Sequence, residues 1–236
     1  MYTLMRATVR LLARTVLAGL LRVEGRAGVP RRGGLLVCSN HLSAIDPALV
    51  PGFLPRRDSW SMAKSEWFDR PGFTSWLLRS YHAFGVIRHT PDRRALRQAR
   101  EILDRGGALV LYPEGHRSET GQLLRAEPGA GFLARASGVE VLPVGLVGTG
   151  ECVPLGSSRP RRVPVEIRFG PRLRIPERTA DGRRVDNQDA SDAIMLAIAE
   201  LLPPEIRGEY ADLDALRARL HGVFEPAPAA GTESGG

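Results

Sequence analysis

The sequence predicts an α/β fold, a single-domain αβα sandwich with a largely parallel central sheet and an N-terminal amphipathic helix. Two observations point there. Short apolar runs that end in polar loops alternate with segments of helical periodicity, the pattern of βα units wound around a parallel sheet. A length of 236 residues is enough for one full hydrophobic core, and no internal repeat is evident.

Residues 1–22 read as a helix. Met5, Val9, Leu12, Val16 and Leu20 recur at helical spacing, and Arg6, Arg10 and Arg14 form a stripe on another face. The uncharged stretch 15–21 is far shorter than the roughly 20 residues of a bilayer span, and no clear small-residue cleavage site marks a signal peptide. A basic amphipathic helix of this kind is expected to lie in a membrane interface. The alternative is a helix packed on the domain with its arginines solvated.

Residues 35–38 form an uninterrupted apolar run, expected as a buried strand, with a helix from Pro47 onward. A strand is expected over 59–64 and an aromatic-rich helix over 67–81. Residues 91–105 carry Leu96, Ala99, Ile102 and Leu103 on one helical face and stop at Gly106-Gly107. Residues 108–112 read as a strand, 129–137 as a helix and 139–147 as a strand. Residues 163–170 alternate apolar and polar, as an edge or half-buried strand does. A helix is expected over 186–202, broken by Pro203-Pro204, and an amphipathic one over 211–220. The expected organisation is therefore a membrane-interface helix and lead-in (1–26), the main domain (27–222) and a disordered tail rich in Pro, Ala and Gly (223–236).

The chemistry-bearing residues cluster where strands end. Asn40-His41-Leu42-Ser43-Ala44-Ile45-Asp46 follows the first apolar run directly, placing an imidazole and a carboxylate five positions apart. Ligands of parallel α/β sheets lie beyond the carboxyl ends of the strands. A base with its own orienting carboxylate is the minimum equipment for deprotonating an alcohol; the plainer reading is a hydrogen bond that ties a loop. Downstream come Phe84-Gly85-Val86-Ile87-Arg88, then Leu109-Val110-Leu111-Tyr112-Pro113-Glu114-Gly115-His116-Arg117-Ser118, then Val141-Leu142-Pro143-Val144-Gly145.

In order and spacing, from Val37 to Val147, these segments resemble the four blocks of the glycerolipid acyltransferase family, the lysophosphatidic acid acyltransferase group. Its hallmarks are NHxxxxD, a Gly-to-Arg block, EGxRS and a late apolar-Pro block. Two departures stand out. His116 occupies the place where threonine is usual, which puts a second imidazole near the site. Glu127-Pro128-Gly129 stands where a lysine often precedes glycine, with Arg125 as a substitute for that contact. His41 is preferred as base because it matches the family's histidine and Asp46 accompanies it.

Acyl transfer to an alcohol needs a base for the hydroxyl, donors for the developing oxyanion and a grip on the acceptor. His41 is the expected base, and Asp46 would fix its tautomer and stabilise the imidazolium. No protein nucleophile is required, and Ser43 and Ser118 read as capping or loop-bonding hydroxyls, with no Gly-x-Ser-x-Gly elbow around Ser43. Arg88 and Arg117 are the candidate phosphate clamp. The N–H of Gly115 is a candidate donor, and Glu114 is expected to orient the arginines or bind acceptor hydroxyls. Lys64 is a further candidate phosphate contact, or a surface lysine. The cluster of Trp60, Trp67, Phe68, Phe73, Trp76, Leu77 and Leu78 is expected to pack in the core, to line an acyl groove or to touch lipid.

A net charge of +7 invites phosphate-rich partners. Because Lys64 is the only lysine, part of the arginine content reads as GC-rich coding bias. No recognised nucleic-acid motif is present, so nucleic acid is not an expected partner. Cys38 and Cys152 form no disulfide framework, which is consistent with a reducing cytoplasm. His82, His89 and His221 lack metal-ligand spacing. The resemblance implies an acyltransferase that uses acyl-CoA or acyl carrier protein as acyl donor and lysophosphatidic acid or a related lysophospholipid as acceptor. It would need no metal or bound cofactor and would work at the cytoplasmic face of the membrane against an anionic surface. The alternatives are a glycerol-3-phosphate or other lysolipid acyltransferase, and a basic lipid-binding protein whose site has drifted.

Overall fold

A computed structural model of the chain describes residues 1–56, 58–69, 72–87, 92–157 and 159–228. In chain order, the first half runs α1 (Tyr2–Val16), β1 (Leu21–Glu24), β2 (Leu35–Ser39), α2 (Asp46–Phe53), β3 (Ser59–Lys64), α3 (Phe73–Ser80), β4 (Ala83–Val86) and α4 (Arg93–Asp104). The second half runs β5 (Ala108–Leu111), α5 (Gly129–Ser137), β6 (Glu140–Val147), α6 (Thr149–Cys152), β7 (Val165–Phe169), β8 (Leu173–Arg174), α7 (Asn187–Ala199), α8 (Leu213–Arg219) and β9 (Glu225–Pro226).

The sheet order is β1-β7-β6-β2-β5-β3-β4. The run β6-β2-β5-β3-β4 is parallel throughout. β7 runs antiparallel to β6 and carries β1 alongside it in parallel, so this margin of the sheet is reversed. β8 pairs with both β6 and β9.

Every residue of β2 is buried, as a central parallel strand with both faces covered requires. Its side chains alternate between two cores. Leu36 and Cys38 join Ala99 of α4, Leu133 of α5 and Ile194 of α7 on one side. Leu35 and Val37 join Leu49, Val50 and Phe53 of α2 on the other. Helix starts are fixed by side chains: Asp92 accepts the Arg94 and Ala95 amides before α4, and Asp186 accepts the Gln188 amide before α7.

Three expectations need correction. The helix over 1–22 ends at Val16, because Leu21 and Val23 alternate with Arg22 and Glu24 in the period of a strand and pair with Val165 and Ile167 of β7. The lead-in up to residue 26 is therefore part of the sheet. Residues 163–170 contain β7, half-buried as one of the two expectations had it, which lies between β1 and β6. Residues 67–81 are helical only from Phe73 onward, after a single 3-10 turn at Ser65–Trp67. The tail is ordered at its start: Val223 is buried and β9 pairs with β8, while 229–236 lie outside the described residues.

The orientation of α1 is also unlike its sequence pattern. Arg6 is buried and donates to the carbonyls of Pro51, at 2.8 Å, and Leu54. Arg10 donates to the carbonyl of Gly52 and, at 3.4 Å, to that of Leu54. These carbonyls belong to the C-terminal end of α2, where helix carbonyls lack intrahelical donors and cations are favoured. Two arginines of the stripe thus face inward, and leucines take their place outside: Leu4 is 72% and Leu11 67% exposed.

Candidate active site

The carboxyl ends of β2 and β5 lie side by side, Cys38 opposite Leu111, so the loops that follow them meet. The first loop is held by Asn40. Its side-chain amide donates to the Leu146 carbonyl at 2.9 Å and its oxygen accepts the Leu146 N–H at 2.7 Å, both on β6. A fully buried asparagine thereby makes a two-point bond to a neighbouring strand and fixes where residue 41 emerges.

His41 is 7% exposed and Asp46 fully buried. The ring Nδ1 of His41 lies 2.9 Å from Asp46 Oδ2. The same oxygen accepts the backbone N–H groups of Leu42 and Ser43, each at 2.7 Å. Three donors on one oxygen hold the carboxylate as an acceptor, and therefore hold Nδ1 as the protonated ring nitrogen. Nε2 is left as the basic one. The ring also stacks on Tyr112, with centroids 4.2 Å apart. Burial pushes the Tyr112 phenol well above its usual range, with a further contribution from Asp46, and its hydroxyl has no hydrogen-bond partner among the described residues.

Glu114 ties the two loops together. One carboxylate oxygen accepts the His41 N–H at 2.8 Å and the other accepts the Leu124 N–H at 2.9 Å. The Ser118 N–H donates back to the His41 carbonyl at 2.9 Å. Burial pushes the Glu114 carboxyl up to about 7, against the pull of the two amides and helped by Asp46. Each Glu114 oxygen accepts one backbone amide, and no arginine side chain bonds either oxygen among the described residues.

Gly115 adopts a positive φ of 75° in the turn after β5, where a Cβ would meet Glu127 at 3.2 Å. Its N–H donates to the Tyr112 carbonyl at 3.0 Å, so this amide closes the turn instead of facing a substrate. The next two amides, of His116 and Arg117, have no partner among the described residues. Consecutive free N–H groups after such a turn form a concave anion-binding feature. The Arg117 side chain is half-buried and makes no hydrogen bond or ion pair among the described residues.

Of the remaining candidates, Arg88 lies outside the described residues. The His116 side chain is exposed, whereas His41 is buried against a carboxylate. Lys64 forms an ion pair of 3.0 Å with Glu66, and Arg125 is exposed. Ser43 donates to the Val153 carbonyl at 2.8 Å and so ties its loop to the end of α6. Sequence reasoning assigned no role to Asn40 or Tyr112. Asn40 had a signal in its place within the first motif, while the stacking of Tyr112 depends on two loops meeting. Trp67, Phe73, Trp76 and Leu77 are exposed instead of packed in the core, and Trp60 stacks on His82. Among the described residues no His, Cys, Asp and Glu cluster is suited to a metal ion, and no helix is long and apolar enough to cross a membrane.

The sequence model of the family described as Acyltransferase matches residues 20–147, which include every loop just described. The chain is similar to a 1-acyl-sn-glycerol-3-phosphate acyltransferase of Chlamydomonas reinhardtii, 33% identical over 54% of this chain and 38% of that protein. It is also similar to a chloroplastic 1-acyl-sn-glycerol-3-phosphate acyltransferase of Arabidopsis thaliana, 40% identical over 58% of this chain and 38% of that protein. One from Limnanthes douglasii is 28% identical over 68% of this chain and 57% of that protein. The chain spans about half the length, or less, of these curated relatives. The crystal structure of a 1-acyl-sn-glycerophosphate acyltransferase from Thermotoga maritima superposes with a TM-score of 0.63 at 24% identity, covering 91% of this chain and 80% of that one. That likeness shows the fold.

Proposed function

The chain belongs to the acyltransferase family, and on that premise we propose that it transfers a fatty acyl group from a thioester to the hydroxyl of a lysophospholipid, lysophosphatidic acid first. The observation that carries the reading is the buried His41–Asp46 pair, with Nδ1 committed to the carboxylate. The names of the similar proteins support the acceptor.

In this reading His41 Nε2 takes the proton of the acceptor hydroxyl as its oxygen attacks the thioester carbonyl carbon. Asp46 stabilises the imidazolium without taking the proton. The C–S bond then breaks, and the departing sulfur receives the proton from His41 as a free thiol. The acyl group moves straight to the acceptor oxygen, so the bonding of Ser43 to a backbone carbonyl costs the reaction nothing. The free amides of His116 and Arg117, with the Arg117 guanidinium, are the proposed donors for a developing oxyanion or the acceptor's phosphate, next in the chain to the Ser118 amide that bonds the His41 carbonyl. Acyl-CoA or acyl carrier protein is the donor in this proposal, and no metal or bound cofactor takes part. The exposed leucines of α1 and the aromatic side chains around α3 support a peripheral place on the cytoplasmic face of a membrane.

The test is thiol release from acyl-CoA, and from acyl carrier protein loaded with the same chain, with and without lysophosphatidic acid. Acceptor-dependent release that disappears in His41→Ala is the expected result. Release without acceptor would indicate a thioesterase. Vesicle binding without release from either donor, with any lysolipid or glycerol 3-phosphate, would indicate a lipid-binding protein.

A further inference from the structure

A concentration of arginines lies outside the loops around His41. A cleft of about 300 Å³ opens between α1, the end of α2 and the loop before β2, lined by Arg6, Arg10, Arg26, Arg31, Arg56 and Thr3. Among the described residues no carboxylate lines it. Arg56 is the arginine bound to an acid, bidentate to Asp58 at 2.9 and 2.5 Å, and it also donates to the carbonyls of Gly33 and Gly106. These carbonyls precede β2 and β5, so the cleft sits at the amino edge of the parallel sheet. His41 stands at the carboxyl edge of the same strand.

We infer that this cleft is a second anion site, which takes a phosphate group, as on an anionic lipid headgroup or free phosphate. The α2 carbonyls that hold Arg6 and Arg10 amount to a helix end of about half a unit of negative charge. That leaves most of the positive charge uncompensated. The side chains of Arg26 and Arg31 make no hydrogen bond or ion pair among the described residues, and Arg26 Nε is buried without a partner. A buried, unbonded guanidinium N–H costs folding free energy that a bound acceptor would return. The proton affinity of Arg10 is lowered first by burial and then by Arg6 and Arg26, the mark of cations crowded together. Planar guanidinium groups converging on one cavity match the oxygens of a phosphate.

The surroundings favour the lipid as source. At 100° per residue, Thr3, Arg10 and Arg14 lie on one flank of α1, and Leu4 and Leu11 follow on the adjoining exposed flank. Apolar side chains that reach acyl chains next to a cationic recess at headgroup depth is the arrangement an interfacial helix needs. The site is independent of the catalytic reading, since none of its residues belongs to the loops around His41.

The experiment uses the full chain and two double variants of equal charge change. Arg26→Gln/Arg31→Gln empties the cleft of its two unbonded cations. Arg94→Gln/Arg97→Gln, on the exposed face of α4, controls for bulk charge. Sedimentation with phosphatidylcholine vesicles, with and without phosphatidylglycerol, measures lipid binding, and the melting temperature in millimolar inorganic phosphate or chloride of equal ionic strength measures free-anion binding. For a lipid headgroup, the cleft variant loses about tenfold or more in affinity for anionic vesicles, while the control loses less than half as much on a logarithmic scale. For free phosphate, inorganic phosphate raises the wild-type melting temperature and not that of the cleft variant. Equal losses in both variants, or neither a vesicle preference nor a phosphate shift in the wild type, would overturn the site. The wild-type arms can overturn the site even if a variant folds poorly.

Discussion

The backbone N–H of His41 donates to the carboxylate of Glu114, 73 residues further along the chain, at 2.8 Å. The first and third motifs are therefore one object: the loop with the proposed base hangs from a side chain of the loop with the proposed phosphate donors. Through its second oxygen Glu114 also holds Leu124. The acid is a brace between loops, and its protonation state becomes a matter of stability.

That brace predicts a pH dependence. In the folded chain Glu114 titrates at about 7, against 4.5 for an ordinary carboxyl, so the native state keeps its proton where the unfolded state has lost it. The stability from this group is complete below about 4.5 and is lost as pH rises through about 7, a fall of about 3 kcal/mol at most. Urea denaturation at pH 5 and pH 8 measures it, and Glu114→Gln removes this component. An unchanged slope in the variant would assign the pH dependence to other groups.

Asp46→Asn is expected to cut acceptor-dependent thiol release by about 100-fold or more while the chain stays folded. An amide oxygen in the place of Oδ2 can still accept all three bonds, but a neutral side chain supplies no charge to stabilise the imidazolium. Full activity in the variant would reduce the pair to a loop tie.

Arg117→Ala separates phosphate recognition from chemistry. With lysophosphatidic acid, kcat/KM should fall about 10- to 100-fold, the worth of a charge-assisted hydrogen bond. With a neutral monoacylglycerol the loss should be at most a few-fold. Equal losses on both acceptors would remove Arg117 from the phosphate.

Asn40→Ala should cost about 3 kcal/mol, since it strands both the N–H and the carbonyl of Leu146 inside the sheet. A melting curve reads this directly, and a variant as stable as the wild type would show that water replaces the side chain.

Tyr112 separates ring from hydroxyl. Its phenol oxygen is buried and unbonded, so Tyr112→Phe should leave stability unchanged or raise it by about 1 kcal/mol. Activity should survive, because the contact with His41 is the ring face. Tyr112→Ala should lose both, and a phenylalanine variant without activity would give the hydroxyl a role in the reaction.

The parallel core was legible because its strands are buried on both faces and therefore read as unbroken apolar runs, as from Leu35 to Cys38. The pairing of His41 with Asp46 was legible because five positions suffice to close that loop. β1 was not, since the four alternating residues Leu21 to Glu24 are too few to stand out from the helical run before them, and their pairing with β7 is distant in the chain. Nor was the inward turn of Arg6 and Arg10, whose partners are carbonyls that any residue type supplies. The same limit hid the brace: Glu114 is bound by two backbone amides, and backbone leaves no trace in a sequence. Arg88 lies outside the described residues, so the candidate clamp rests on Arg117 and its neighbours.

The bond from Asn40 to β6 spans 106 residues and the one from His41 to Glu114 spans 73. Contacts so distant in the chain form late, after the intervening loops have paid their closure entropy. A chain still being synthesised carries its histidine from the start, yet that histidine has no fixed direction until residue 146 has emerged and docked. The anchoring of the His41 loop in this fold is therefore a property of the finished sheet.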